Sequence, residues 1–281
     1  MNTHVNGRVW LITGASSGFG RALAEAALAA GDTVVATARR PEDLDGLVAA
    51  HPDRAVAVAL DVTDHPRGDA VVAEAVRRFG RIDVLVNNAG YGHVGAVEET
   101  TDRELRDLME VHLLGPAALT RAVLPHMRGR RSGAIVQMSS FGGRLSYAGF
   151  GAYSAAKSAL EGLSEALARE VAAFGITVLI VEPGAFRTGF FGRSLHQAAA
   201  MPAYEDTVGA TRERAAGFDG KQPGDPARAA AAILTALDAE HRPLRLALGG
   251  DAIDALHAHA ARAREELCAW EAVGRDTAFI E

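Results

Sequence analysis

Short apolar runs alternate with longer stretches of helical periodicity along this chain. The runs lie at residues 8–13, 33–38, 55–60, 82–86, 133–138, 176–181 and 244–248. Most are apolar nearly throughout rather than at every second position, the pattern of strands buried on both faces of a sheet. Between them, apolar residues recur at three- and four-residue spacing. This predicts helices after Gly20, over 66–79, over 102–127, from the Tyr153 region to about 174, over 226–239 and over 251–273. Strand-then-helix repetition of this kind predicts an α/β fold: a doubly wound parallel sheet of seven strands with helices on both faces. No linker or low-complexity stretch divides the chain, so residues 1–281 are expected to form one domain. A polar and aromatic excursion over 188–225 is expected to act as a substrate lid.

The polar and small residues fall where these strands end. Thr13 and Gly14, Ala38 and Arg39, Asp61, Asn87 and Asn88, Ser139 and Ser140, and Pro183 and Gly184 all follow apolar runs. Open α/β sheets bind ligands along that edge. The first turn, Gly14-Ala15-Ser16-Ser17-Gly18-Phe19-Gly20, joins a strand to a helix. Free backbone amides and the positive end of the helix dipole would meet a phosphate there. Gly14 suits the tight turn, Gly18 a close phosphate approach and Gly20 helix–strand packing. An acid after the second strand would bind the ribose of NAD. Here Ala38 is followed by Arg39, suited to a 2′-phosphate, so the sequence points to NADP, with NADPH preferred over NADH.

The segment from Ser139 to Lys157 carries the candidate chemistry. Tyr153 and Lys157 are four apart, on one helix face. The chain has 29 basic residues, and only Lys157 and Lys221 are lysines. An ammonium beside a phenol favours phenolate and lowers its pKa, so Tyr153 reads as an acid/base and Ser140 as a hydroxyl that orients a substrate oxygen. Phe141, Leu145, Tyr147, Phe150, Phe186, Phe190, Phe191, Met201 and Tyr204 are expected either to wall the crevice, favouring a hydrophobic substrate, or to fill a small core within the lid.

Composition narrows the field. The hydrophobic fraction is 48% and the charged fraction 23%, ordinary for a globular protein. A net charge of −6 and the lack of a basic stripe give no reason to expect nucleic acid. The start lacks a signal peptide's pattern, and no apolar run reaches the ~20 residues of a membrane span, so a cytoplasmic location is expected. One cysteine, Cys268, excludes an internal disulfide. His257 and His259 share no helix face, no cluster has metal-ligand spacing, and no metal is expected.

TGASSGFG at 13–20, DVTD at 61–64, NNAG at 87–90, Ser140 with Tyr153 and Lys157, and PGAFRT at 183–188 together resemble the short-chain dehydrogenase/reductase family, over roughly residues 7–250. The chain is similar to its bacterial hydroxysteroid and retinol dehydrogenase-like members. The resemblance implies an oxidoreductase interconverting a ketone or aldehyde with an alcohol. Tyr153 would be the general acid/base, Lys157 would tune it and hold the nicotinamide ribose, and Ser140 would bind the substrate oxygen. Cofactor contacts are implied for Gly14, Ser16, Ser17, Gly18, Phe19, Gly20 and Arg39. Asp61 and Val62 would meet the adenine, and Asn88, Ala89 and Gly90 its ribose. Pro183, Gly184, Phe186 and Thr188 would border the nicotinamide half. The family usually has Asn where this chain has His112; the imidazole either joins a proton relay or packs in its helix. A homodimer or homotetramer is implied through the helices beginning near 102 and 151. Two other readings remain: a non-catalytic NADP(H)-binding regulator, and an isomerase or dehydratase that keeps its cofactor unchanged.

Overall fold

The computed structural model describes residues 7–279. Residues 1–6, part of the stretch read as carrying no signal peptide, and 280–281 lie outside the described residues. In chain order, β1 is Val9–Ile12, α1 Gly18–Ala29, β2 Thr33–Ala38, α2 Asp45–Ala50 and β3 Ala55–Ala59. Then come α3 His65–Phe79, β4 Val84–Asn87, β5 Gly92–Val94, α4 Asp102–Met109 and α5 Gly115–Arg130. The remainder is β6 Gly133–Met138, α6 Gly151–Val171, β7 Ile176–Pro183, β8 Leu195–Gln197, α7 Ala210–Phe218, α8 Pro226–Asp238, β9 Arg245–Leu248 and α9 Gly250–Arg275.

Seven strands form one parallel sheet in the order β3-β2-β1-β4-β6-β7-β9. This is the doubly wound arrangement that the apolar runs predict. Alternate residues of each strand face opposite layers. In β1, Trp10 and Ile12 join Leu23, Leu28, Ile233 and Leu237 of α1 and α8. Val9 and Leu11 join Val71, Leu119, Val123, Leu167 and Val171 of α3, α5 and α6 on the other face. Both faces are covered, so a strand with no polar position is stable at the centre of the sheet.

Three departures from the sequence reading have local causes. β4 begins at Val84 rather than Ile82, because the Asp83 carboxylate accepts the Val9 amide at 2.8 Å and pairs with Arg81 and Arg130. The helix predicted over 102–127 is interrupted by a π-helical turn at Glu110–Leu114. Pro116 has no N–H for the His112 carbonyl, and its ring crowds that oxygen, so the helix widens there. The excursion after Thr188 is not structureless. β8 pairs in parallel with β5, His93 facing His196, and α7 follows.

Candidate active site

β6 ends at Met138 and delivers Ser139 and Ser140 to the edge of the sheet. Ser140 precedes a tight turn at Phe141–Gly143, and its Oγ accepts the Gly142 amide at 3.0 Å. The chain then enters α6, whose first turns carry Tyr153 and Lys157, both buried. Lys157 Nζ donates to the Met138 carbonyl at 2.7 Å and stands 5.7 Å from the centre of the Tyr153 ring. Lysine therefore ties the helix to the strand end beside Ser140.

The electrostatics differ from the sequence expectation. Burial pushes the Tyr153 phenol up, and the Ser140 hydroxyl pulls it partly back. Lys157 does not dominate, because burial lowers its own pKa to about 7, with Glu161 one turn along acting the other way. Tyr153 is thus held as a neutral proton donor.

His112 sits in the π turn, almost fully buried, with Nε2 2.9 Å from the Tyr91 carbonyl. The same nitrogen lies 3.4 Å from the Tyr91 amide, so it faces both backbone groups of Tyr91, while Nδ1 has no protein partner among the described residues. Desolvation, with Lys157 nearby, holds the ring neutral. It meets Tyr153 edge-on at 5.5 Å. Gly90 makes room for it: a Cβ there would lie 2.5 Å from His112 Cε1. The Gly115-Pro116 pair was the available sequence signal for this turn.

The glycine turn lies along the same edge. Gly14 and Gly18 have φ of +63° and +56°, and a Cβ on Gly20 would strike the Gly14 carbonyl. Ser17 begins α1 without a side-chain cap, and no acid occupies the first turn, so the helix presents free amides and an unopposed positive end. Asn88 braces this turn, its Nδ2 donating to the Thr13 carbonyl at 2.8 Å. Its amide and that of Ala89 both donate to Thr13 Oγ1. Thr188 closes over Gly18, where a Cβ would meet its own at 3.3 Å.

Most of these residues border one crevice of about 1360 Å³. Gly14, Ser16, Ser17, Gly18, Phe19, Arg39, Asp61, Val62, Asn88, Ala89 and Gly90 line one part; Ser140, Tyr153, Lys157, Pro183, Gly184, Phe186 and Thr188 line the other. Gly20 lies behind the turn, a packing position. Arg39 is exposed, and among the described residues it has no ion pair, whereas Arg40 is held by Asp43 at 2.7 Å. The uncapped helix end, the glycine turn and this arginine fit a dinucleotide.

Of the aromatic residues expected to wall the crevice, Phe141, Tyr147, Phe150, Phe186, Phe190 and Phe191 do, as does Leu145. Met201 and Tyr204 do not. Tyr204 packs beside Val94, Ala96 and Val208, with its hydroxyl on Glu98 at 2.6 Å. Sequence reasoning missed Tyr91, His93, His196, Arg193, Arg214 and Phe218, which also line the crevice. Alternating small and large residues at 91–94 were the signal for β5. Among the described residues no group of three His, Cys, Asp or Glu side chains is placed to hold a metal ion, and no helix is long and apolar enough to cross a membrane.

A doubly wound parallel sheet with a glycine turn, a Ser-Tyr-Lys set and an aromatic crevice on one edge defines a dehydrogenase of the doubly wound α/β class. The chain belongs to the short-chain dehydrogenase family, whose model matches residues 8–199, and it is an oxidoreductase. A short-chain dehydrogenase from Streptomyces avermitilis is 62% identical, with a TM-score of 0.92 over 98% of this chain and 100% of that one. Oxidoreductase BOA17 of Botryotinia fuckeliana is 42% identical over 93% of this chain and 94% of its own. A Burkholderia phymatum short-chain dehydrogenase/reductase in complex with NAD is 25% identical, with a TM-score of 0.81 over 96% of each chain.

Proposed function

We propose that this protein is an NADP(H)-dependent carbonyl reductase and alcohol dehydrogenase acting on a hydrophobic substrate. The observation that carries the reading is the shared crevice: the buried phenol of Tyr153, between Ser140 and Lys157, opens onto the same cleft as the uncapped start of α1 and the unpaired Arg39. The bound dinucleotide would supply the hydride in reduction and accept it in oxidation. The chain's own residues do the rest. The Ser140 hydroxyl and the Tyr153 Oη hold the substrate oxygen. Tyr153 gives its proton to that oxygen as the carbonyl carbon is reduced, and takes it back from the alcohol in the reverse direction. Lys157, beside the phenol and charged up to about pH 7, would stabilise the phenolate left behind. The aromatic walls exclude water from the reacting carbon.

Arg39 carries the choice of nucleotide. A planar guanidinium suits a 2′-phosphate bidentately, and the carboxylate that would repel it is absent from this strand end. Tyr153→Phe is expected to lower turnover of ketones by at least ~10²-fold while nucleotide binding, read by protein fluorescence, stays intact. NADPH is expected to bind more tightly than NADH, with Arg39→Ala removing most of the difference. Retained turnover in the Tyr153 variant would sink the mechanism. Tight NADPH binding with no turnover on a broad carbonyl panel would favour a non-catalytic regulator, and turnover without net NADPH consumption an isomerase or dehydratase.

A further inference from the structure

Aromatic side chains continue outward from the candidate acid. Tyr153 meets Phe190 at 5.5 Å between ring centres, Phe190 meets Phe191 at 5.2 Å, and Phe191 meets Phe218 of α7 at 5.6 Å. All four line the crevice. A flexible apolar chain entering beside Phe218 would therefore run along ring surfaces until it reached the phenol.

Two arginines border the same crevice. Arg193 follows Phe191 by two residues. Arg214 lies one turn before Phe218 on the same face of α7. Both are exposed, both line the crevice, and among the described residues neither makes an ion pair. The acids that line the crevice are engaged elsewhere. Glu104 closes a capping box with Thr101, and Asp107 faces Arg103 at 3.8 Å. Glu110 faces His65 at 3.7 Å. Asp61 accepts from Thr63, and Asp251 from the Ala185 amide. Asp219 lies against Gly192, outside the crevice lining. Two guanidiniums that border an apolar crevice, with no ion pair among the described residues, attract anions and do nothing for a neutral hydrocarbon.

We infer that the substrate is an amphipathic oxo acid. Its carbonyl lies at Tyr153, its apolar chain follows Phe190, Phe191 and Phe218, and its terminal carboxylate meets Arg193 and Arg214 as charge-assisted, bidentate partners. This inference rests on the carbonyl reductase reading, and the test separates the two. The full chain is assayed for NADPH-dependent reduction of a ten-carbon methyl ketone, of the same chain ending in a carboxylate (an oxodecanoate), and of its trimethylammonium-ended counterpart. Binding of decanoate, which needs no turnover, is measured alongside by calorimetry.

The expected result is a kcat/KM for the oxodecanoate about tenfold above the neutral ketone, with the ammonium compound poorest and the preference shrinking in added salt. The double variant Arg193→Gln, Arg214→Gln should erase the preference through KM at unchanged kcat, leave the neutral ketone unaffected, and weaken decanoate binding by a similar factor. Equal kcat/KM for the three ketones, a preference for the ammonium compound, or a carboxylate preference that survives the double variant would overturn the inference while leaving the carbonyl reductase reading standing. If no ketone is reduced but decanoate binding still depends on both arginines, the reductase reading falls and the anion site stands.

Discussion

At the scale of single residues, the site depends on burial setting protonation states. Lys157 is protonated below about 7 in the folded chain, against an ordinary value of 10.5. Between these two pH values the unfolded chain holds a proton that the folded chain lacks, so this residue makes stability rise with pH through that window. A Lys157→Met variant has no such group. Its melting temperature relative to wild type is expected to be greatest at or below about pH 7, with the gap closing toward pH 10.5; a gap that widened with pH would contradict the burial argument. His112 is neutral, held by the Tyr91 carbonyl, and packed edge-on against Tyr153. Of the two sequence readings for it, these contacts favour packing. We propose that it is a positioning residue. His112→Ala should lower kcat by about 10- to 100-fold, as a displaced acid would, with KM and nucleotide binding little changed. His112→Phe, which refills the space without a ring nitrogen, should restore most of the loss; a failure to do so would move the role to the nitrogen.

At the scale of elements, the excursion over 188–225 is fastened by a few polar ties. Glu99 is the central one. Its carboxylate accepts the Ala96 amide at 2.7 Å, the Met201 amide at 2.7 Å and Arg212 at 2.6 Å. Arg212 and these amides hold the carboxyl down to about 2 from an ordinary 4.5. The tie is therefore complete above about pH 4.5 and is lost as pH falls toward 2. Glu99→Gln leaves Arg212 half-buried without its anion. Faster hydrogen exchange is expected across β8 and α7, with a higher KM for substrate and unchanged nucleotide binding; unchanged exchange would show that the β5–β8 pairing and the remaining ties fasten the excursion without Glu99. None of these ties was legible in the sequence. Glu99 and Arg212 are far apart along the chain, and neither stands in a motif. The helix break at Glu110–Leu114 was legible in principle, because Gly115-Pro116 denies the preceding turn its hydrogen bond.

At the scale of the whole molecule, some apolar surface stays exposed among the described residues. Leu105, Leu114 and Leu163, on or beside α4, α5 and α6, are 38–40% exposed. We propose that these helices pair across a two-fold axis. Light scattering is expected to give twice or four times the chain mass, with Leu114→Glu, Leu163→Glu moving the protein toward monomer; a wild-type monomer would refute this. The last helix is a separate matter. The sequence allowed it to cap the substrate side, but only its start, at Asp251, reaches the crevice, while Leu267 and Trp270 are about 70% exposed. What the sequence determined by itself was the sheet, its parallel winding, the glycine turn and the Ser140, Tyr153 and Lys157 set. Those follow from short-range periodicity and from residues placed just after apolar runs, and both are written locally. The tertiary structure alone decided which aromatic side chains reach the crevice, that burial outweighs other influences on the Tyr153 proton, and that Arg193 and Arg214 border the crevice with no ion pair among the described residues. Those depend on desolvation and on contacts between residues distant in sequence, and neither quantity exists until the chain has closed on itself.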